Sequence, residues 1–383
     1  MTDLYYPLNS LREGHWFKLI CGASFQHLPA VRNLTLAYTL AGADCIDVAA
    51  DPAVIAAAID ALRVAEKWAD AASGRGYGVR GLPWLMVSLN DGEDPHFRKA
   101  EFNPAECPPE CPRPCESICP ADAIAFEDAR YAGVIDQRCY GCGRCVPVCP
   151  IGHIVTRSYV YTPEAIAPLV LQPGVDAIEI HTQVGHLGDF RRLWQAIAPW
   201  VNQLKLIAIS CPDGEGLIDY LWALYDLMTP LACPLIWQTD GRPMSGDIGT
   251  GTTRAAVKLG EKVLAANLPG YIQLAGGTNN HTVIKLKDAG LLNKTFNTEQ
   301  NPKSFISGVA YGSYARRLLS PVLDRLENIN SNETDANAQS IKSPQLSGRL
   351  EETPPLLWDA VAQADSLVSQ LKSSVKGKIT HRG

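Results

Sequence analysis

No stretch of this sequence approaches the ~18 apolar residues that a membrane-spanning helix needs. Its apolar residues, 46% of 383, come in short runs. The opening segment, MTDLYYPLNSLREGHWFKLI, lacks the basic stretch followed by an apolar one that marks a secretory signal. A soluble, cytoplasmic protein is expected. Basic residues are nowhere concentrated, and 34 Lys and Arg against 40 Asp and Glu leave a net charge of −6. Phosphate binding needs a basic patch or stripe, so a nucleic-acid surface is excluded and protein or small-molecule partners are expected. No G-x-G-x-x-G follows the first apolar run, which excludes the dinucleotide site of a Rossmann fold.

What the chain does have is alternation. Short β-rich runs, FKLICGA at Phe17, CIDVAA at Cys45 and PWLMVSLN at Pro83, are separated by helical patterns at about 29–40 and 52–71. The alternation resumes with DAIEIHT at Asp176, LKLIAIS at Leu204, PLIWQT at Pro234, GYIQLAGG at Gly270 and SGVAYGS at Ser307, with helical patterns between them. Eight β-runs, nearly all followed by a helix, predict an α/β fold of the (β/α)8 TIM-like barrel type over residues 15–326. An open doubly wound sheet is the competing architecture. The barrel would comprise residues 1–100 and 153–326, with a module at 101–152 inserted after the third strand. Loops after barrel strands emerge at the ligand-binding face, which would put the module at the barrel's mouth. Residues 327–355 are polar and aperiodic and read as a flexible linker. Residues 356–375 show apolar positions at helical spacing and read as a helix that docks on the barrel or meets a partner.

Eight of the twelve cysteines crowd between Cys107 and Cys149, and in a cytosolic chain such clustering points to metal ligation rather than disulfides. Cys139-Tyr-Gly-Cys142-Gly-Arg-Cys145-Val-Pro-Val-Cys149-Pro150 is the C-x2-C-x2-C-x3-C-P run of two-cluster bacterial ferredoxins. Cys107, Cys111, Cys115 and Cys119 form a first half that ends in the same C-x3-C-P but spaces its earlier cysteines by three residues. In such ferredoxins the fourth cysteine of each run ligates the other cluster. Cys119, Cys139, Cys142 and Cys145 are therefore expected to hold one [4Fe–4S] cluster. Cys149 with cysteines from Cys107, Cys111 and Cys115 is expected to hold the second, as [4Fe–4S] or, given the altered spacing, [3Fe–4S]. A pair of zinc knuckles is the weaker alternative, because zinc ribbons lack the two interleaving C-x3-C-P endings.

Elsewhere the signals are fainter. Cys21, Cys45, Cys211 and Cys233 lie apart from the cluster, and the first three read as buried free cysteines. Cys211 and His181 would fall at the C-terminal ends of barrel strands, with His186 close by. Gly276, Gly277, Thr278 and Asn279 end the seventh β-run and Gly312 and Ser313 the eighth, where barrels bind phosphates through backbone N–H groups. With the glycine-rich segment from Thr239 to Thr253 they suggest a pocket for a small anionic ligand or a quinone.

The whole arrangement, with CPPECPRPCESICP, CYGCGRCVPVCP, IEIHTQVGHLGDF and QLAGGTNNHTV in order, resembles the light-dependent period family of cyanobacteria over residues 1 to about 326. That resemblance implies an iron–sulfur protein that reports redox state, and so light intensity, to the circadian clock. It also implies association with clock proteins and a clock-input histidine kinase. The rival class is an oxidoreductase whose clusters relay electrons to a substrate at the barrel mouth. A plain electron carrier would leave most of the chain without a purpose.

Overall fold

A computed structural model describes residues 6–92, 97–119, 121–126, 133–158, 168, 174–242, 251–293, 305–335 and 348–376. Eight parallel strands, β1 (Trp16–Ile20), β2 (Cys45–Ala49), β3 (Trp84–Asn90), β8 (Ala177–His181), β9 (Leu206–Pro212), β10 (Leu235–Asp240), β11 (Tyr271–Ala275) and β12 (Gly308–Tyr311), close into a barrel in that order, β12 pairing with β1. All eight β-runs of the sequence are strands, and the open-sheet alternative is excluded by the β1–β12 pairing. Helix α1 (Tyr6–Glu13) precedes β1, and α2 (Leu28–Ala41) and α3 (Pro52–Gly74) follow β1 and β2. Asp51 caps α3 through its carboxylate, which accepts from the N–H groups of Ala53 and Val54, and proline takes the first helical position. After β8 come α6 (Leu187–Ile197), α7 (Leu217–Met228), α8 (Thr253–Ala265), α9 (Thr282–Asp288) and α10 (Ser313–Asp335), one following each remaining strand.

Inward-facing side chains fill the barrel in layers, as the two-residue period of a strand requires. The layer nearest α1 is apolar: Trp16, Trp84, Met86, Leu206, Ala208 and Ile236 pack together with Leu11 of α1. The next layer is polar and is described with the site.

Between β3 and β8 the chain leaves the barrel and returns. β4 (Arg98–Glu101) and β7 (Val155–Ser158) pair antiparallel, and this two-stranded neck brings the ends of the insertion together. Beyond the neck lie α4 (Pro114–Ile118), the short antiparallel pair β5 (Ile124–Ala125) and β6 (Gly133–Val134), and α5 (Cys145–Val148). This module has its own small core of Ala100, Ala123, Ile124, Ile154 and cysteines.

Helix α10 continues to Asp335, past the break expected at 327. Leu319, Val322 and Leu326 are buried against the barrel and nucleate the helix, after which each added turn costs little even through polar residues. Residues 336–347 of the expected linker lie outside the described residues. Helix α11 (Pro354–Lys376) then docks on the barrel's own surface, burying Leu357, Ala360, Val361, Ala364, Leu367 and Val368 against α2 and α10. Helix α2 is consequently buried nearly all round, which accounts for its mostly apolar sequence. Lys372 reaches back to the Asp44 carboxylate at 2.6 and 2.7 Å, and Arg32 forks onto Glu351 at 2.5 and 2.9 Å.

Candidate iron–sulfur site

Each half of the module places a cysteine inside or at the start of a short helix and another just after it. Cys115 lies in α4 and Cys119 follows it; Cys145 begins α5 and Cys149 follows it. The residue after each helix turns toward the opposite half. Cys119, Cys139, Cys142 and Cys145 line one small cavity, walled by Ala100, Ala123, Ile124 and Val134. Cys149 sits instead with Cys107, Cys111 and Cys115, whose thiols feel one another's charge. Gly141 and Gly143 adopt left-handed backbone (φ 71° and 73°), which an L side chain resists, and let the loop curl tightly around the first cavity.

The donor set has the chemistry of a cluster site. Backbone N–H groups point at sulfur: Ala100 N lies 3.4 Å from Cys139 Sγ, Ala123 N 3.2 Å from Cys119 Sγ and His153 N 3.3 Å from Cys149 Sγ. Burial and then the neighbouring thiols raise the pKa of Cys145 to about 12, and burial raises those of Cys119 and Cys142. Thiols kept protonated by burial and, less, by one another's charge are deprotonated readily by a bound cationic centre. Burial opposes ionisation of Cys149 too, but N–H groups of residues 151–154 outweigh it and hold that thiol below its ordinary range. Among the described residues no three His, Cys, Asp or Glu side chains converge on a point suited to a single metal ion. Four sulfurs lining one cavity supply the thiolate donor set that an iron–sulfur cluster takes.

Several contacts seat the module on the barrel mouth, among them those of Phe97, Lys99 and Tyr140. Phe97 packs its ring edge-on to His181, with centroids 5.4 Å apart. Lys99, almost wholly buried, donates to Gln26 Oε1 at 2.8 Å and to the Asp136 carbonyl at 2.6 Å. Tyr140, between two of the cavity cysteines, packs against Phe25 and beneath the guanidinium of Arg316. A cleft of about 810 Å³ runs along this seam, lined by Phe25, His27, Arg138, Tyr140, Arg316 and Glu327 among others. Burial, and then Arg138, lower the His27 pKa to about 4, so its imidazole is neutral near pH 7.

Below the mouth lies a polar layer that the sequence did not announce. Lys18 of β1 is fully buried and bonds Glu179 of β8, with Asp47 Oδ2 at 3.2 Å and Gln238 Oε1 at 3.1 Å. Gln238 donates to Glu179 Oε1 (2.7 Å), Gln273 to Gln238 (2.5 Å) and the Trp16 indole to Gln273 (2.6 Å). Burial opposes the Lys18 charge, but Asp47 and Glu179 outweigh it and raise its pKa. Burial and Lys18 pull Glu179 in opposite directions, and Lys18 wins, lowering it to about 2; for Asp47 burial wins, raising it to about 6. A lysine held so firmly as ammonium is no nucleophile.

His181 is buried, its Nε2 2.9 Å from Glu179 Oε1, and His186 Nδ1 lies 3.3 Å from Asp91 Oδ1. Cys211 is buried at the end of β9 in the apolar core. Gly276 passes so close to Asp240 that a Cβ there would overlap its carboxylate. Thr278 Oγ1 donates to the Ala310 carbonyl, and Asn279 donates to Thr252 and accepts from the N–H of His281. Gly312 and Ser313 lie instead near Arg316, and Ser313 lines the seam cleft. Of the glycine-rich segment after β10, residues 243–250 lie outside the described residues. The seam residues Phe25, Tyr140 and Arg316 escaped the sequence reading, and their only signal was that Tyr140 sits between two ligand-spaced cysteines.

Fold and site together define a parallel (β/α)8 barrel that carries an iron–sulfur-binding module in the loop after its third strand. Residues 107–160 match the family described as the LdpA Fe-S cluster-binding domain, and residues 169–370 match the Light dependent period A C-terminal domain. The chain is 49% identical over 97% of its length to Light dependent period A of Synechococcus elongatus, covering 95% of that protein. It belongs to the Light dependent period A family. Two solved structures also align with it. One is a fructose-bisphosphate aldolase from Campylobacter jejuni (9% identity, 97% of this chain and 92% of that one, TM-score 0.32). The other is a geranylgeranylglyceryl phosphate synthase from Thermoplasma acidophilum (13% identity, 97% and 99%, TM-score 0.34). Likeness at that level adds nothing to what the barrel's own strand pairing establishes.

Proposed function

We propose that the chain is a redox sensor that conveys cellular redox state, and through it light intensity, to the circadian clock. The observation that carries this is the sorting of eight cysteines into two groups of four, one of them seated against the barrel mouth. Cys119, Cys139, Cys142 and Cys145 would hold one cluster and Cys107, Cys111, Cys115 and Cys149 the other. Iron–sulfur clusters bound there supply one-electron chemistry, each change of oxidation state altering the module's charge by one unit. The chain's own part is to set potential and report charge. Its N–H groups on sulfur favour the more negative state, its apolar walls exclude water, and the seam carries the difference to the barrel. The name of the Synechococcus relative supports a light-dependent role in period. Clock proteins and a clock-input kinase are the partners this reading assigns.

The test is an EPR-monitored redox titration of anaerobically purified protein, with iron and sulfide counted on the same sample. Two reversible centres, at least one titrating near the potential of the photosynthetic quinone pool, are the expected result. Centres that both titrate only at low, ferredoxin-like potentials, or zinc in place of iron, would overturn it. An oxidised [3Fe–4S] signal would show that one centre takes that form, which this reading expects of the group with altered spacing.

A further inference from the structure

Tyr140, with Ala121 and Arg144, lines both the cavity of Cys119, Cys139, Cys142 and Cys145 and the seam cleft. The guanidinium of Arg316 lies 4.3 Å from its ring centroid, a cation–π contact of the kind that strengthens when water is excluded. The same guanidinium is fastened to the barrel in three places. Nη1 donates to the carbonyls of Ile20 (3.1 Å) and Cys21 (2.9 Å) at the end of β1, and Nη2 donates to Ser313 Oγ (3.1 Å) at the start of α10. Among the described residues the hydrogen bonds of Arg316 go to carbonyl and hydroxyl groups and its face lies on the ring, while Asp324 and Glu327 line the same cleft and Glu327 pairs with Arg138.

We propose that Arg316 is a positioning residue for the centre held by those four cysteines: it raises that centre's reduction potential and transmits its oxidation state to the end of β1 and the start of α10. The inference rests on the redox-sensor reading above. A one-electron donor gives the centre one electron, with no bond made or broken and no proton moved, so the charge beside Tyr140 becomes more negative by one unit. A fixed cation there stabilises that reduced state. The ring and the β1 carbonyls compete for one cation, so reduction draws the guanidinium toward the module and loosens its hold on Ile20 and Cys21. The second group of cysteines has no part in this contact and serves as an internal control.

The experiment compares wild type with R316Q and R316K as cluster-loaded proteins, reading both midpoints by EPR; a C149S variant marks which signal belongs to the other group. In R316Q the potential of the Tyr140-side centre falls, so that its oxidised form is favoured about tenfold more, 59 mV for a one-electron couple, while the other centre stays put. R316K keeps the charge and most of the potential, but an ammonium cannot hold two carbonyls while stacking on a ring. Hydrogen exchange of residues 20–25 therefore differs between oxidised and reduced wild type and ceases to differ in R316K, a readout that also stands if R316Q does not fold. Potentials that move equally at both centres, or at neither, overturn the proposal, as does redox-independent exchange at residues 20–25 in wild type. Wild-type centres that do not titrate reversibly sink the sensor reading and this inference with it; reversible wild-type centres left unmoved in R316Q sink this inference alone.

Discussion

Lys18 stands where barrels of this kind are ordinarily filled with branched aliphatic side chains. Its ammonium is fully buried against Glu179 and Asp47, and the amides of Gln238 and Gln273 extend the network to Trp16. A buried ion pair of this sort contributes little net stability over an apolar filling, because desolvation takes back most of the attraction. Removing one partner is another matter, since the survivor is left charged in a dry interior. Lys18→Met is therefore expected to lower unfolding stability by about 3–5 kcal/mol, and Lys18→Met with Glu179→Gln to recover part of that loss. Urea midpoints of the two variants check this: equal losses would mean that the carboxylate finds water or another partner inside the barrel.

Among the elements, α11 shows most clearly what tertiary packing adds to a helical pattern. Its apolar stripe covers α2, and polar ties fasten it at both ends, Arg32 to Glu351 and Lys372 to Asp44. Trp358 stacks on Tyr77, nearly parallel, beneath the guanidinium of Arg75. Leu357→Ala is expected to cost about 2–5 kcal/mol, while Ser366→Ala, on the exposed face, should stay within about 0.5 kcal/mol. Thermal unfolding of the two variants decides whether α11 is part of the barrel's core or an appendage. The elements themselves were legible because a strand's period and a helix's period are local properties, visible in FKLICGA or in the stripe from Leu357 to Leu371. The sorting of the cysteines was legible for a related reason: the C-x3-C-P spacing fixes where a helix ends and which way the next thiol turns. What could not be read were partners brought together by closure of the barrel. Lys18 and Glu179 lie 161 residues apart and Arg316 and Ile20 are separated by 296, and no window of sequence contains both members. Nor could the sequence show that Gly276 runs so close to Asp240 of the neighbouring strand that only a residue without a Cβ fits there.

At the scale of the whole molecule the described residues form three cores, a large one uniting barrel and helices, a small one at the α1 end of the barrel and another inside the module, which joins the barrel through the β4–β7 neck and the seam at Phe97, Lys99 and Tyr140. Cysteines supply three of the seven buried residues of the module's core, so ligation is expected to organise it, whereas the barrel is held by apolar burial and strand pairing. Stripping iron with a chelator under mild oxidation is accordingly expected to unfold the module and leave the barrel standing. Far-UV circular dichroism should keep most of its helical signal, because the long helices all belong to the barrel, while hydrogen exchange across 102–154 rises sharply. The barrel segments that do respond should be those that touch the module, the end of β1 with the loop at Phe25 and the first turns of α10. If exchange instead rises throughout the barrel, module and barrel form one cooperative unit, and cluster loss itself, rather than a change of charge at the seam, becomes the signal that a partner could read.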